Sequence, residues 1–181
     1  GKLSPEESTK FLDRVLSRVA GRVPVLVGVS TAGTDNLISF AHQSMDAGAA
    51  GVMIAPISTL RTEEQVVAYF AEIGARLDRE VPVVLQDFPQ TTGVHMSVPV
   101  FTQIVKELPQ VVMLKAEDCP GLTKISRIRA LAANVARQIA INVTLGLSML
   151  KSRSWNKIPR LVPAFRVPVA RQDVEQSRRD F

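Results

Sequence analysis

The chain of 181 residues has one cysteine, one tyrosine, one tryptophan and two histidines. A lone thiol, Cys119, excludes an internal disulfide framework, and with no charged-then-apolar leader segment the expected compartment is the reducing cytoplasm. No apolar run approaches the roughly 20 residues of a membrane span, so no membrane partner is expected. His42 and His95 lie far apart with no third ligand at metal spacing, and no metal is expected. Acidic neighbours Glu117 and Asp118 disfavour a thiolate at Cys119, which argues against a catalytic cysteine. Gly28 and Gly33 do not have the spacing of a dinucleotide fingerprint, and no lysine-serine pair of a Walker loop follows them.

The net charge of +5 is unevenly placed. Residues 1–150 contain as many Asp and Glu as Lys and Arg, so the whole excess belongs to residues 151–181, which have eight cations, three anions and no glycine. That tail has three prolines and only Trp155, Phe165 and Phe181 for stacking on bases, so it reads as a solvated end, and nucleic acid is not an expected partner.

What the chain does have is a repeated unit. Ser4-Pro5-Glu6-Glu7 is a capping box with proline at the first helical position, and Phe11, Leu12, Val15, Leu16 and Val19 carry a helix to Gly21. Residues 23–29 (VPVLVGV) form an apolar run that reads as a strand buried on both faces. A polar turn with Gly33 follows, then a helix through Leu37, Ile38, Phe40, Ala41 and Met45. The unit recurs: a strand over 51–56, a helix opened by the capping box Thr62-Glu63-Glu64-Gln65, a strand over 81–85, a loop through Pro89 and Gly93, and a helix over 97–108. The next strand is 111–115 (VVMLK), followed by a helix over 121–133 with Leu122, Ile125, Ile128 and Leu131 on one face; residues 138–150 could supply one more strand or helix. Strands alternating with helices at a period near 30 residues predict an α/β fold with a parallel sheet, either doubly wound or part of a (β/α)8 barrel. The missing nucleotide motifs favour the barrel.

Lys115 closes a strand of otherwise apolar residues. Desolvating an ammonium there is costly, and a neutral amine is the nucleophile that converts a ketone to a Schiff base. The alternative is a lysine that reaches out of the strand end and pairs with Glu117 or Asp118. In a barrel the chemistry sits at the carboxyl ends of the strands, and here those ends hold Ser30 and Thr31, then Ser58, then Gln86 and Asp87, then Lys115 and Glu117.

The run LSPEES, the strand VPVLVGVS, the phrase DAGAAGVMIAPIS, the segment VPVVLQDFPQTTGVHMS and VVMLKAEDCPG resemble, in order and spacing, the dihydrodipicolinate synthase and N-acetylneuraminate lyase family over about residues 3–133. The resemblance implies a (β/α)8 barrel, a homo-oligomer, usually a tetramer, no cofactor, and catalysis by Lys115 through a Schiff base with a 2-oxo acid such as pyruvate. Gln86, Asp87, Thr92, Glu117 and Ser30 are the expected substrate-binding residues. Gln86 stands where the family has a proton-relaying tyrosine, and an amide is no general acid at neutral pH. Thr91 stands where the synthases have a carboxylate-gripping arginine, so dihydrodipicolinate synthesis itself is not expected.

The first strand matches the family's third, which implies that the first two strands and the last are lacking. Residues 1–137 are thus read as a partial barrel domain and 138–181 as a divergent basic tail, disordered or non-native, in a fragment that is either a natural truncation or one with a shifted reading frame near its end. Such a piece exposes two sheet edges and is expected to be marginally stable or aggregation-prone. Two functional classes stay open: a Schiff-base-forming, aldolase-type lyase, and a catalytically inactive barrel fragment with at most loose anion or nucleic-acid binding through its tail.

Overall fold

The computed structural model describes residues 3–119, 121–132 and 140–143, which form six helices and five strands. In chain order these are α1 (Pro5–Val19), β1 (Leu26–Gly28), α2 (Thr34–Asp46), β2 (Gly51–Ile54), α3 (Glu63–Arg76), β3 (Val83–Asp87), α4 (Pro89–Thr92), α5 (Val98–Glu107), β4 (Val111–Ala116), α6 (Leu122–Ala132) and β5 (Ala140–Val143). Both expected capping boxes form. Ser4 Oγ accepts from Glu7 N while Ser4 N donates to the Glu7 carboxylate, and Thr62 and Gln65 make the same reciprocal pair. Ser97 caps α5, with Val98 and Pro99 opening the helix.

All strand pairs are parallel and the order in the sheet is β1-β2-β3-β4-β5. A doubly wound sheet reverses its direction of growth part-way and so places helices on both faces. Here each crossover advances one strand the same way, and a constant right-handed crossover puts the helices on one face. The packing agrees. Val52 and Ile54 of β2, Val83 and Leu85 of β3, and Val111, Leu114 and Ala116 of β4 join Leu37, Phe70, Ile73, Ile104 and Ile128 of the helices in one buried cluster. Met53, Val84, Gln86, Met113 and Lys115 alternate with them and face away from that helical layer. Sheet and outer helices are therefore part of a (β/α)8 barrel.

Three sequence expectations change. Residues 23–29 were expected to form a strand buried on both faces; β1 has only three residues, and Val23 and Leu26 are exposed. The reason is position: β1 pairs with β2 alone, so it is a sheet edge among the described residues. The stripe on α1 buries Leu12 only, while Phe11 is 62% exposed. The loop after β3 contains the one-turn helix α4, started by Pro89 and ended by Gly93 at φ 70°. Residues 140–143 take the strand alternative as β5; residues 144–181, including the basic tail, lie outside the described residues.

Gly74 of α3 lies against the C-terminal end of α5. A Cβ there would lie 2.5 Å from Glu107 O, at the end of α5, and 3.2 Å from Leu108 Cδ1. Alanine in a free helix would be favoured by about 1 kcal/mol over glycine. Against a backbone carbonyl that cannot swing aside, overpacking costs typically 1–3 kcal/mol and reverses the sign. Gly74→Ala is expected to lower stability by up to about 2 kcal/mol net, read as a lower denaturant midpoint.

Candidate active site

Lys115 is the fifth residue of β4, an interior strand with β3 on one side and β5 on the other. Its orientation depends on a bulge. The ladder between β3 and β4 runs Val83↔Val111 and then Val84↔Met113, so Val112 is an extra residue in β4. Val111 packs toward the helices; strict alternation from it would send Met113 and Lys115 the same way. The extra residue shifts the phase, Leu114 and Ala116 take the helical side, and Lys115 comes to the concave side. There it stands in register with Gln86 of β3 and Asn142 of β5.

The Lys115 side chain is 29% exposed, so the nitrogen is at the rim of the sheet and not in bulk water. Nζ lies 2.9 Å from Glu117 Oε2, and the Glu117 side chain is only 10% exposed. Gln86 Nε2 donates to the same oxygen at 2.6 Å. One carboxylate oxygen thus receives an ammonium and an amide. The loop carrying Glu117 is tied down by its own backbone: Glu117 N donates to Asp87 O at 2.8 Å. The Gln90 amide completes the tie when its oxygen and nitrogen are assigned to satisfy both neighbours, the nitrogen then donating to Glu117 O and the oxygen accepting from Cys119 N.

Lys115, Glu117 and Gln86 are brought together. Asp87 is not with them. One residue along β3 from Gln86, it faces the helical layer, almost wholly buried, and accepts from Lys124 Nζ of α6 at 2.5 Å. Lys124 also reaches Asp118 at 3.2 Å. Substrate binding by Asp87 from the concave side is therefore at odds with its orientation; strand alternation already separated 86 from 87. Ser30 Oγ accepts from Ala55 N at 2.8 Å and so joins the ends of β1 and β2. Thr92 Oγ1 donates to Phe88 O and accepts from Val94 N at 3.2 Å each, which fixes the turn after α4. Ser58 lends its carbonyl to Arg61. His42 sits 3.5 Å from Asp78, and no group of three or more His, Cys, Asp or Glu among the described residues could hold a metal ion. Cys119 is exposed. No helix among the described residues is long and apolar enough to cross a membrane.

Lys124 and Gln90 are the residues that sequence reasoning missed. The available signal for Lys124 was Asp87 itself: a carboxylate on the helical side of a strand needs a cation from the covering helix.

Burial pushes the Asp87 carboxyl above the ordinary carboxylate range; Lys124 opposes the shift and Asp118 adds to it, with His95 a smaller lowering influence. The proton-bound form is thus favoured in the fold relative to the unfolded chain. The stability Asp87 contributes is complete below its unfolded value, near 3.8, and declines as pH rises through its raised native value. Measured against Asp87→Asn, the wild-type chain is expected to lose relative stability as pH rises above 3.8, read from denaturant midpoints followed from acid toward neutral pH.

A singly wound parallel sheet, helices on one side and a lysine at the carboxyl end of an interior strand on the other, define part of a barrel of the architecture whose enzymes place their chemistry at the strand ends. Residues 1–141 match the family model described as the dihydrodipicolinate synthetase family. The chain belongs to that family. It is 32% identical over 127 residues to a 4-hydroxy-tetrahydrodipicolinate synthase of Methanosphaerula palustris, an alignment that covers 70% of this chain and 42% of the relative. It is 25% identical over 183 positions to the enzyme of the same name from a Thermoanaerobacter species, covering 97% of this chain and 61% of the relative. Among solved structures, a dihydrodipicolinate synthase from Rhodopseudomonas palustris superposes with a TM-score of 0.74 at 43% identity, over 78% of this chain and 47% of that one. The Thermotoga maritima synthase gives 0.69 at 26% identity, over 78% and 48%. The chain spans between about two fifths and three fifths of the length of these relatives.

Proposed function

We propose that the chain carries the amine of a class I lyase, in which Lys115 forms a Schiff base with a 2-oxo acid such as pyruvate. Nζ attacks the keto carbon, water leaves, and the resulting iminium draws electrons from the neighbouring carbon so that a carbon–carbon bond is made or broken, or water is eliminated. The observation that carries this reading is the position of Lys115 Nζ, on the concave side of an interior strand and 2.9 Å from a shielded carboxylate. Family membership and relatives named as synthases support it. The same reading places the whole protein in the cytoplasm as a homo-oligomer.

The ion pair between Lys115 and Glu117 is also what a purely structural lysine would make, and that competing reading predicts no covalent chemistry. Treating the chain with pyruvate and borohydride separates them. A mass increase equal to a reduced pyruvate adduct, located on the peptide that contains Lys115, is expected. A chain that acquires no such adduct is a structural remnant.

A further inference from the structure

Imine formation requires two proton movements that an amine cannot perform alone. The ammonium must lose a proton before Nζ can attack, and the hydroxyl left on the former keto carbon must gain one before it departs. We propose that Glu117 performs both proton transfers and is a catalytic residue in its own right; the inference rests on the Schiff-base reading of Lys115. Glu117 Oε2 is 2.9 Å from the reacting nitrogen, within the roughly 2.6–3.2 Å reach of a general base.

The other candidates fail on geometry or chemistry. Gln86 touches the same oxygen at 2.6 Å, but an amide neither gives nor takes a proton at neutral pH, so it aims the carboxylate and does not replace it. Asp87 is committed to Lys124 on the opposite face of the sheet, and Asp118 is bonded to that same lysine. Glu117 is the carboxylate held in place for the task. The backbone hydrogen bond to Asp87 and the bracket formed by Gln90 fix its loop, and its side chain is nine-tenths shielded.

The step balances. From the ion-paired state one proton passes from Nζ to Oε2, leaving an amine and a carboxylic acid. The amine lone pair bonds to the keto carbon, and the nitrogen's surplus proton moves to the former keto oxygen to give a carbinolamine. The Glu117 carboxyl then protonates the hydroxyl, the carbon–oxygen bond breaks, and water leaves with that bond's electron pair. Nitrogen supplies its lone pair to form the iminium. Ammonium and ketone have become iminium and water, and Glu117 is again a carboxylate.

The test measures the rate of adduct formation by the full chain with pyruvate and cyanoborohydride, followed by intact mass. Glu117→Gln keeps size and polarity but cannot carry a proton, and a slowing of about 100-fold is expected, the lower end for loss of a general acid–base group. Its fold is checked by an unchanged circular dichroism spectrum. Glu117→Ala is expected to be as slow and to be accelerated, saturably, by added formate, which leaves wild type and Lys115→Ala unchanged. A Glu117→Gln chain that reacts at the wild-type rate, or a Glu117→Ala chain indifferent to formate, overturns the assignment and leaves Glu117 a structural partner. Absence of any adduct in wild type is a different failure: it removes the Schiff-base reading itself, and the role of Glu117 with it.

Discussion

Lys115→Arg and Lys115→Ala are both expected to abolish the borohydride-trapped pyruvate adduct, a fall of roughly 100-fold or more to background, since among the described residues no other amine faces the concave side with a carboxylate against it. The arginine variant is the more informative of the two. A guanidinium retains the positive charge opposite Glu117 and the hydrogen bond to it, so the carboxylate is not left without a partner, but it stays protonated and has no lone pair to offer a carbonyl. The structural reading of the lysine predicts that Lys115→Arg is nearly silent in every assay. The catalytic reading predicts near-normal unfolding behaviour together with complete loss of trapping. Alanine alone would confuse these outcomes, because it also leaves a shielded carboxylate uncompensated. The comparison is made by intact mass after reduction and by denaturant unfolding of the same preparations.

The bulge at Val112 shows where a sequence stops being informative. Helix ends were readable because their signals are local: Ser4 with Glu7 and Thr62 with Gln65 specify their capping boxes within four residues. The parallel sheet was readable from the spacing of apolar runs, and strands begin at 26, 51, 83, 111 and 140. The face on which Lys115 lies was not, because strand phase counted from Val111 gives the wrong side. One extra residue against β3 corrects it, and a run such as VVMLK carries no mark of that extra residue. The edge position of β1 among the described residues followed from the resemblance, which puts two strands ahead of it, and not from its own valines, since burial of a strand is set by its neighbours. The stripe on α1 failed for the same reason: periodicity gives an apolar face, and only tertiary contacts decide that Leu12 is covered and Phe11 is not. At the site, the motif positions brought Lys115, Gln86 and Glu117 to attention. The division of labour between the two neighbouring carboxylates, Glu117 toward the lysine and Asp87 toward α6, needed the pleat and the helix together.

That division predicts the largest stability effect of any single polar substitution in the described part of the chain. Lys124→Met is expected to destabilise the fold by about 3–5 kcal/mol near neutral pH, the range for breaking a buried pair by removing one partner. Asp87 is 1% exposed and its Oδ1 already has no hydrogen-bond partner. Its remaining oxygen depends on Lys124. Methionine has similar length and apolar character, so the loss reports the missing cation and not a cavity. Arg76 with Asp35 and Glu72 is the natural control: those carboxylates are half or more exposed, water replaces the guanidinium, and Arg76→Met is expected to do little. Two further outcomes identify the cause. The cost of Lys124→Met should shrink as pH falls, because a carboxyl whose titration burial has already raised takes up a proton and ceases to be an unpaired anion. The double variant Asp87→Leu with Lys124→Met should recover most of the loss, to within about 1 kcal/mol of wild type, because an apolar pair of similar volume needs no compensation. If the double variant is as unstable as Lys124→Met alone, the interaction that matters is Lys124 with Asp118, and β3 is not held to α6 by this charge pair.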